Sequence, residues 1–156
     1  MSDWSSRGTS DWSTHNNGAH VLSIALAAVA VGASVVGSVA VSGSRRANEA
    51  RAVAALAAFM RRQHALLTHD VATAEGPLLA AWAHDLGLDA GERQRLARVL
   101  EGSAEQGLLL EALDGAIDDG RARRFAAAFL RVTERAIGKA RTGALVGRAA
   151  RASGLG

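Results

Sequence analysis

Histidine and aspartate side chains are the groups in this chain that could bind and use a divalent metal. His64, the pair His69-Asp70 and the pair His84-Asp85 supply the imidazole and carboxylate ligands such an ion takes. His64 and His69 are five residues apart, about 140° around a helix at ~100° per residue, so they do not share a face. The surrounding sequence adds no further ligands for a closed site. We therefore predict no metal site, no catalytic residues and no cofactor.

Three carboxylates lie close together further along the chain. Glu111, Asp114 and Asp118 are spaced by three and four residues, so they share one face of a helix. Such a face could hold a hard cation or pair with the arginines that follow it. A solvated acidic face is the simpler interpretation. Serine is concentrated before residue 45 and no glycine-rich phosphate loop follows a strand, so no small-molecule substrate is evident.

The C-terminal stretch is strongly basic. Residues 120–156 carry eight arginines and one lysine against one glutamate, a net charge of +8 in a chain whose total is +3. Within this region, the stretch 131–151 reads as a mildly amphipathic basic helix, which suits an anionic lipid surface. The alternatives are a frayed terminus and a nucleic-acid site, although the absence of interleaved aromatic residues argues against nucleic acid. The predicted anionic-surface contacts are Arg131, Arg135, Lys139, Arg141, Arg148 and Arg151.

Composition limits the elements that position these groups. The chain has 156 residues, no cysteine, one proline and six aromatic residues, so its length supports one small domain. Neither disulfides nor cysteine-ligated metals are possible. The core must be built mainly from alanine, leucine and valine, which bury little area each.

An uncharged run near the N-terminus is the strongest signal in the sequence. No Asp, Glu, Lys or Arg occurs between residues 12 and 44. Val21–Val41 spans 21 residues, about 31 Å as a helix at ~1.5 Å per residue, which matches a bilayer core. The run therefore predicts a single transmembrane helix at residues 20–43. A buried helix inside a protein and a cleavable secretory signal are the alternatives.

Small residues recur along this segment at the spacing of one helix face. A smooth strip of this kind lets a second helix approach closely. It predicts self-association or pairing with other membrane helices, while chance spacing in an Ala-, Gly- and Ser-rich run is the alternative. The predicted packing residues are Ala30, Gly32, Ser34, Gly37, Ser38 and Ser42.

Arginine distribution orients the predicted membrane helix. Arg7 alone precedes the helix, whereas five arginines follow it within residues 45–62. The positive-inside rule then places the N-terminus outside and the helical body in the cytoplasm, with the protein in the inner (plasma) membrane. Cleavage at the small-x-small sites within residues 38–42 would instead give a periplasmic or secreted protein.

The remaining chain divides by composition. Residues 1–19 form a polar leader, predicted to be disordered, in which Ser-Asp-Trp-Ser occurs twice. Residues 44–141 form a helical body and residues 142–156 a basic tail. Apolar spacing of three and four, with stops at glycine or proline, predicts four to five short helices in the body. The predicted helices are 45–73, 78–86, 90–100 after a capping box at Asp89, 104–118 after Ser103, and one from Arg121.

Residues 59–114 carry a set of hydrophobic motifs: the spacing around Asp70, Glu75-Gly76-x-Leu78-Leu79, Leu86-Gly87 and Leu109-Leu110-x-x-Leu113. In these motifs the stretch resembles an uncharacterised family of small exported helical bacterial proteins. The resemblance implies an all-helical fold and export behind a signal peptide. The family has no established activity, so it contributes no catalytic residues.

These observations together predict an all-α protein with a transmembrane helix followed by a small helical bundle. We expect a non-catalytic, anchored interaction or assembly subunit that contacts membrane lipid, other membrane helices or its own copies. The alternatives are a membrane-perturbing oligomer of the holin or toxin type and an exported helical protein after signal cleavage. Nucleic acid is not an expected partner.

Overall fold

A computed structural model describes residues 20–30 and 43–153 of the chain. Every regular element within these ranges is an α-helix, so the predicted all-α class and helical bundle are confirmed. The helices are α1 (residues 20–30), α2 (Gly43–Arg62), α3 (His64–Thr73), α4 (Pro77–Leu86), α5 (Ala90–Leu100), α6 (Ala104–Leu113), α7 (Asp119–Ile137) and α8 (Lys139–Ala152).

Side-chain caps set the starts of three consecutive helices. The predicted capping box at α5 is confirmed: Asp89 accepts from the Glu92 amide (2.8 Å), and Glu92 accepts from the Asp89 amide (3.0 Å). Ser103 accepts from the amide of the third residue of α6, as predicted. Asp118 caps α7 through the Arg121 amide at 2.8 Å, and this bond lowers the pKa of Asp118. Each cap satisfies amides that a helix start leaves without a partner.

Two of the predicted helices end at different residues in the structure. The stretch 45–73 is interrupted at Gln63, which leaves α2 and α3 as separate helices. α6 ends at Leu113 instead of Asp118, because the chain turns at Gly115 with φ of +82°. The Arg121 guanidinium donates to the backbone carbonyls of Glu111 and Asp114 and so satisfies the end of α6.

α7 is the central helix of the bundle. It packs against α2, α5, α6 and α8, so its long apolar face is buried along its whole length. Phe125 and Phe129 on this face are fully buried, with ring centroids 5.6 Å apart. Trp82 of α4 meets Phe129 edge to face at 4.4 Å. These few aromatic residues provide the large buried area that an alanine-rich core otherwise lacks.

The predicted transmembrane helix is wrong. α1 covers residues 20–30, and its apolar side chains are buried among those of the other helices: Leu22 and Leu26 belong to the main core cluster, and Ala27 and Ala28 pack with residues of α2 and α8. Within the described ranges, no helix is both long enough and apolar enough to cross a bilayer. An uncharged Ala- and Val-rich run suits a protein interior as well as lipid, and here protein surrounds its first half.

Of the six residues predicted to pack membrane helices together, the structure describes Ala30. Ala30 is half-buried and packs at the edge of the small cluster formed by α1, α2 and α8. It therefore contacts helices of its own chain. Gly32, Ser34, Gly37, Ser38 and Ser42 lie outside the described residues.

Asp70 fixes the turn between α3 and α4. Its fully buried carboxylate accepts from the amides of Leu78 (2.8 Å) and Leu79 (3.3 Å), and so caps α4 from another helix. The residue at the N-cap position of α4 is Gly76, with φ of +137° and ψ of 174°. A Cβ at this position would overlap the Asp70 carboxylate. Two features therefore require glycine at this position: the backbone conformation and the lack of space for a side chain.

Gly76→Ala is expected to lower the free energy of unfolding by about 1–3 kcal/mol from backbone strain, with a further loss from the Asp70 overlap. Gly107→Ala is the matched control: Gly107 lies within α6 and an added Cβ would meet no atom within 4 Å. The control should stabilise the protein by ~0.5–1 kcal/mol, because alanine favours helix over glycine. Urea titrations followed by circular dichroism would measure both values. Equal effects would contradict the role assigned to Asp70.

Candidate functional site

The predicted anionic-surface residues lie on the two C-terminal helices, α7 and α8. All six side chains, Arg131, Arg135, Lys139, Arg141, Arg148 and Arg151, are exposed. They do not act alike. Arg135 and Arg141 form ion pairs with acids of other helices, whereas the other four have no ion pair with any described residue.

Arg141 holds α8 against the start of α5. Its Nε lies 2.9 Å from Glu92 Oε2 and its second guanidinium nitrogen 3.2 Å from Oε1, a bidentate pair. Glu92 is 5% exposed, so its carboxylate depends on these donors. The Arg141 bonds and the Asp89 amide lower the pKa of Glu92 to about 2. This arginine therefore has a structural role that its sequence position did not reveal.

Arg135 has a similar role between α7 and α6. Its guanidinium pairs with the Glu105 carboxylate, which is 13% exposed. Arg121, near the start of α7, is bound to the last carbonyls of α6. Arg135 and Arg121 therefore bind α7 to the beginning and to the end of α6, respectively.

Residues 142–152, which the sequence assigned to a basic tail, are part of α8 in the folded body. α8 runs from Lys139 to Ala152, and its apolar face is buried through Leu145, Val146 and Ala150. Interfacial helices bind lipid by inserting such a face into the headgroup region. In this fold that face already contacts protein, and the side of α8 that carries Arg141, Arg148 and Arg151 is left to solvent.

Six cations of α7 and α8 form what we call the cationic surface. They are exposed, and each has neither an ion pair nor a hydrogen bond with the described residues. Sequence analysis did not include two of them, Arg123 and Arg124, among the anionic-surface contacts, because they precede residues 131–151 and were considered as partners of the acidic residues before them. The six residues are Arg123, Arg124, Arg131, Lys139, Arg148 and Arg151.

A groove between α6 and α7 lies beside part of the cationic surface. It encloses a cavity of about 210 Å³, less than the ~300–1,000 Å³ that suits a drug-sized ligand. Leu108, on its rim, is the one large apolar side chain exposed among the described residues, at 45%. We call this the α6–α7 groove. It is lined by Leu108, Glu111, Ala112, Arg121, Arg124, Ala127 and Arg131.

The sequence contained a signal for this groove. Leu108 does not belong to the apolar face that carries Leu109 and Leu113 inward, and Arg124, Ala127 and Arg131 recur at helical spacing. These positions are the ones at which the fold brings an exposed leucine of α6 beside two exposed arginines of α7.

Of the histidines and carboxylates considered for metal binding, His64 lines a surface cavity together with Glu111 and Asp114. Nε2 of His64 lies against the Leu113 carbonyl, and His69 Nδ1 is 3.6 Å from the buried Asp70. Asp85 faces His20 of α1, also at 3.6 Å. Within residues 20–30 and 43–153, no group of three His, Cys, Asp or Glu side chains is placed to hold a metal ion.

Comparisons with protein-family models, with curated proteins and with solved structures found no match to this chain. The resemblance noted for residues 59–114 therefore stays a prediction.

Proposed function

We propose that this protein is a non-catalytic interaction module that binds an acidic partner protein through its cationic surface. The observation that carries the proposal is the unbalanced charge of α7 and α8. Six exposed cations on these helices form no ion pair with a described residue, although Asp118 lies near enough to Arg124 for the two charges to attract each other. Exposed cations that are not held in ion pairs are available to a bound polyanion.

The shape beside these charges favours a protein partner over a lipid surface. The α6–α7 groove is concave and has an exposed leucine at its rim, features that a protruding side chain can use and a flat headgroup layer cannot. The apolar face of α8 is buried, so lipid contact would have to be electrostatic alone.

The arrangement of aromatic residues favours protein over single-stranded nucleic acid. Single-stranded nucleic acids stack their bases on exposed aromatic rings. Phe59, Trp82, Phe125 and Phe129 are all buried in the core, so no aromatic residue of the described ranges is available for stacking.

A binding assay with three defined polyanions would test the proposal. The full chain would be titrated into fluorescein-labelled poly-glutamate, into phosphatidylcholine vesicles containing phosphatidylglycerol, and into a short duplex DNA. We expect poly-glutamate to bind at low ionic strength and to be released as salt rises, because exposed charges are screened beyond ~10 Å at 0.1 M. Changing all six cations of the cationic surface to glutamine should abolish binding.

Two results would overturn the proposal. One is no binding of poly-glutamate at low salt. The other is tighter binding of the vesicles or the duplex, which would assign the cationic surface to lipid or to nucleic acid. Circular dichroism of the six-site variant would show that it is folded, and the matched control changes six exposed neutral residues and keeps the charge.

A further inference from the structure

The α6–α7 groove has small residues between its two helices, and bonds join α6 to α7 on either side of it. Ala112 and Ala127 occupy the floor, where larger side chains would fill the space between the helices. At one end Arg121 binds the last carbonyls of α6, and at the other Arg135 pairs with Glu105. These contacts hold α6 and α7 at a fixed separation, so the groove is present before any partner binds.

Two arginines stand along one wall of the groove without a partner. Arg124 and Arg131 are seven residues apart on α7, which is two helical turns, or about 10.5 Å along the axis at ~1.5 Å per residue. Neither has an ion pair with a described residue. A guanidinium presents a planar fork that binds a carboxylate through two parallel hydrogen bonds.

The remaining lining residues discriminate between anionic partners. Glu111 places a carboxylate on the α6 wall, opposite the arginines of α7. A continuous polyanion, such as a phosphate backbone or a lipid headgroup layer, would bring negative charge against Glu111. A peptide, in contrast, can place carboxylates beside Arg124 and Arg131 without placing one beside Glu111. The exposed Leu108 adds an apolar contact that favours a partner with an apolar side chain.

We propose that the α6–α7 groove binds an acidic amphipathic helix of a partner protein. Two carboxylates seven residues apart on that helix pair with Arg124 and Arg131, and an apolar side chain between them packs against Leu108. This is helix-in-groove recognition with anchors at helical spacing. The inference rests on the proposed function and specifies the chemistry of the partner.

Fluorescence anisotropy with designed peptides would test the spacing. The probe is an alanine-based helical peptide that carries two glutamates seven residues apart and a leucine three residues after the first. We expect it to bind the full chain at low ionic strength. A peptide with lysines in place of the glutamates should not bind. A peptide with its glutamates two residues apart, which points them to different faces, should bind about fivefold more weakly.

Variants of the protein would test the residues. Arg124→Gln and Arg131→Gln should each weaken binding about fivefold, because each removes one carboxylate partner. Combined in one chain, the two α7 changes should weaken binding more than either alone. The double change Arg148→Gln with Arg151→Gln removes the same total charge as that α7 double variant, but from the exposed face of α8. It should weaken binding less than about twofold. Thermal unfolding of each variant would show that the bundle is intact.

A neutral change would test the cavity itself. Ala127→Leu fills the floor of the groove without altering charge and should weaken peptide binding about tenfold. Ala144→Leu makes the same change on the exposed face of α8 and should leave binding unaltered.

Each outcome separates this inference from the proposed function. Equal weakening by the α7 pair and the α8 pair would mean diffuse attraction, which overturns the groove site and leaves the proposed function standing. No effect of Ala127→Leu would also overturn the groove site. If the wild-type chain binds neither the designed peptide nor poly-glutamate, the proposed function fails together with the inference.

Discussion

Leu26→Ala lowers the free energy of unfolding by about 2–5 kcal/mol, the range for removing a fully buried leucine side chain. Leu26 is completely buried and belongs to the same apolar cluster as the core residues of α2, α4 and α7. The substitution leaves a cavity that these helices fill only in part. Urea titration of the full chain without detergent, followed by circular dichroism, would measure the change.

Leu108→Ala is the matched control for this prediction. It makes the same chemical change at the exposed leucine of α6 and should alter stability by less than ~0.5 kcal/mol. Equal losses at the two positions would contradict the placement of α1 in the core. A chain that begins at residue 43 should be destabilised more than Leu26→Ala, because the whole of α1 is then missing from the bundle.

Glu92→Ala is expected to lower the free energy of unfolding by about 2–4 kcal/mol at pH 7. The change removes the reciprocal bond of the α5 capping box and both charge-assisted bonds from Arg141. It also removes the Arg141–Glu92 ion pair, which joins α8 to α5. Urea titrations at a series of pH values would measure the loss.

The pH dependence follows from the pKa of Glu92, which falls from 4.5 to about 2 in the folded protein. A carboxyl whose pKa is lowered by folding stabilises the protein above its unfolded pKa and loses that contribution as pH falls through the folded pKa. The stability gap between wild type and Glu92→Ala should therefore be constant above pH ~5 and narrow as pH falls from 4.5 toward 2.

Two further variants separate the parts of this effect. Glu92→Gln keeps an oxygen that can accept from the Asp89 amide but loses the charge, so it should lose less stability than Glu92→Ala. Glu101→Ala removes an exposed carboxylate at the other end of α5 and should change stability by less than ~0.5 kcal/mol. A gap that stays constant down to pH 3 would contradict the Arg141–Glu92 pairing.

The sequence predicted part of the cationic surface. The basic composition of residues 120–156 identified the region, and helical spacing placed its arginines on outer faces. Sequence could not show that Arg135 and Arg141 are engaged by Glu105 and Glu92, because those partners lie 30 and 49 residues away. The α6–α7 groove likewise depends on how two helices pack, and periodicity within one helix does not contain that information.

Local chemistry determined the helices of this protein. Caps at Asp89, Ser103 and Asp118 and the stops at Gly76 and Gly87 act over a few residues, so sequence located most helix ends. What surrounds residues 20–30 was decided by tertiary structure alone. The hydrophobic effect favours burial of an uncharged alanine- and valine-rich segment in lipid and in a protein interior alike. Residues 20–30 are buried in the protein because α2, α7 and α8 present apolar faces that pack against them.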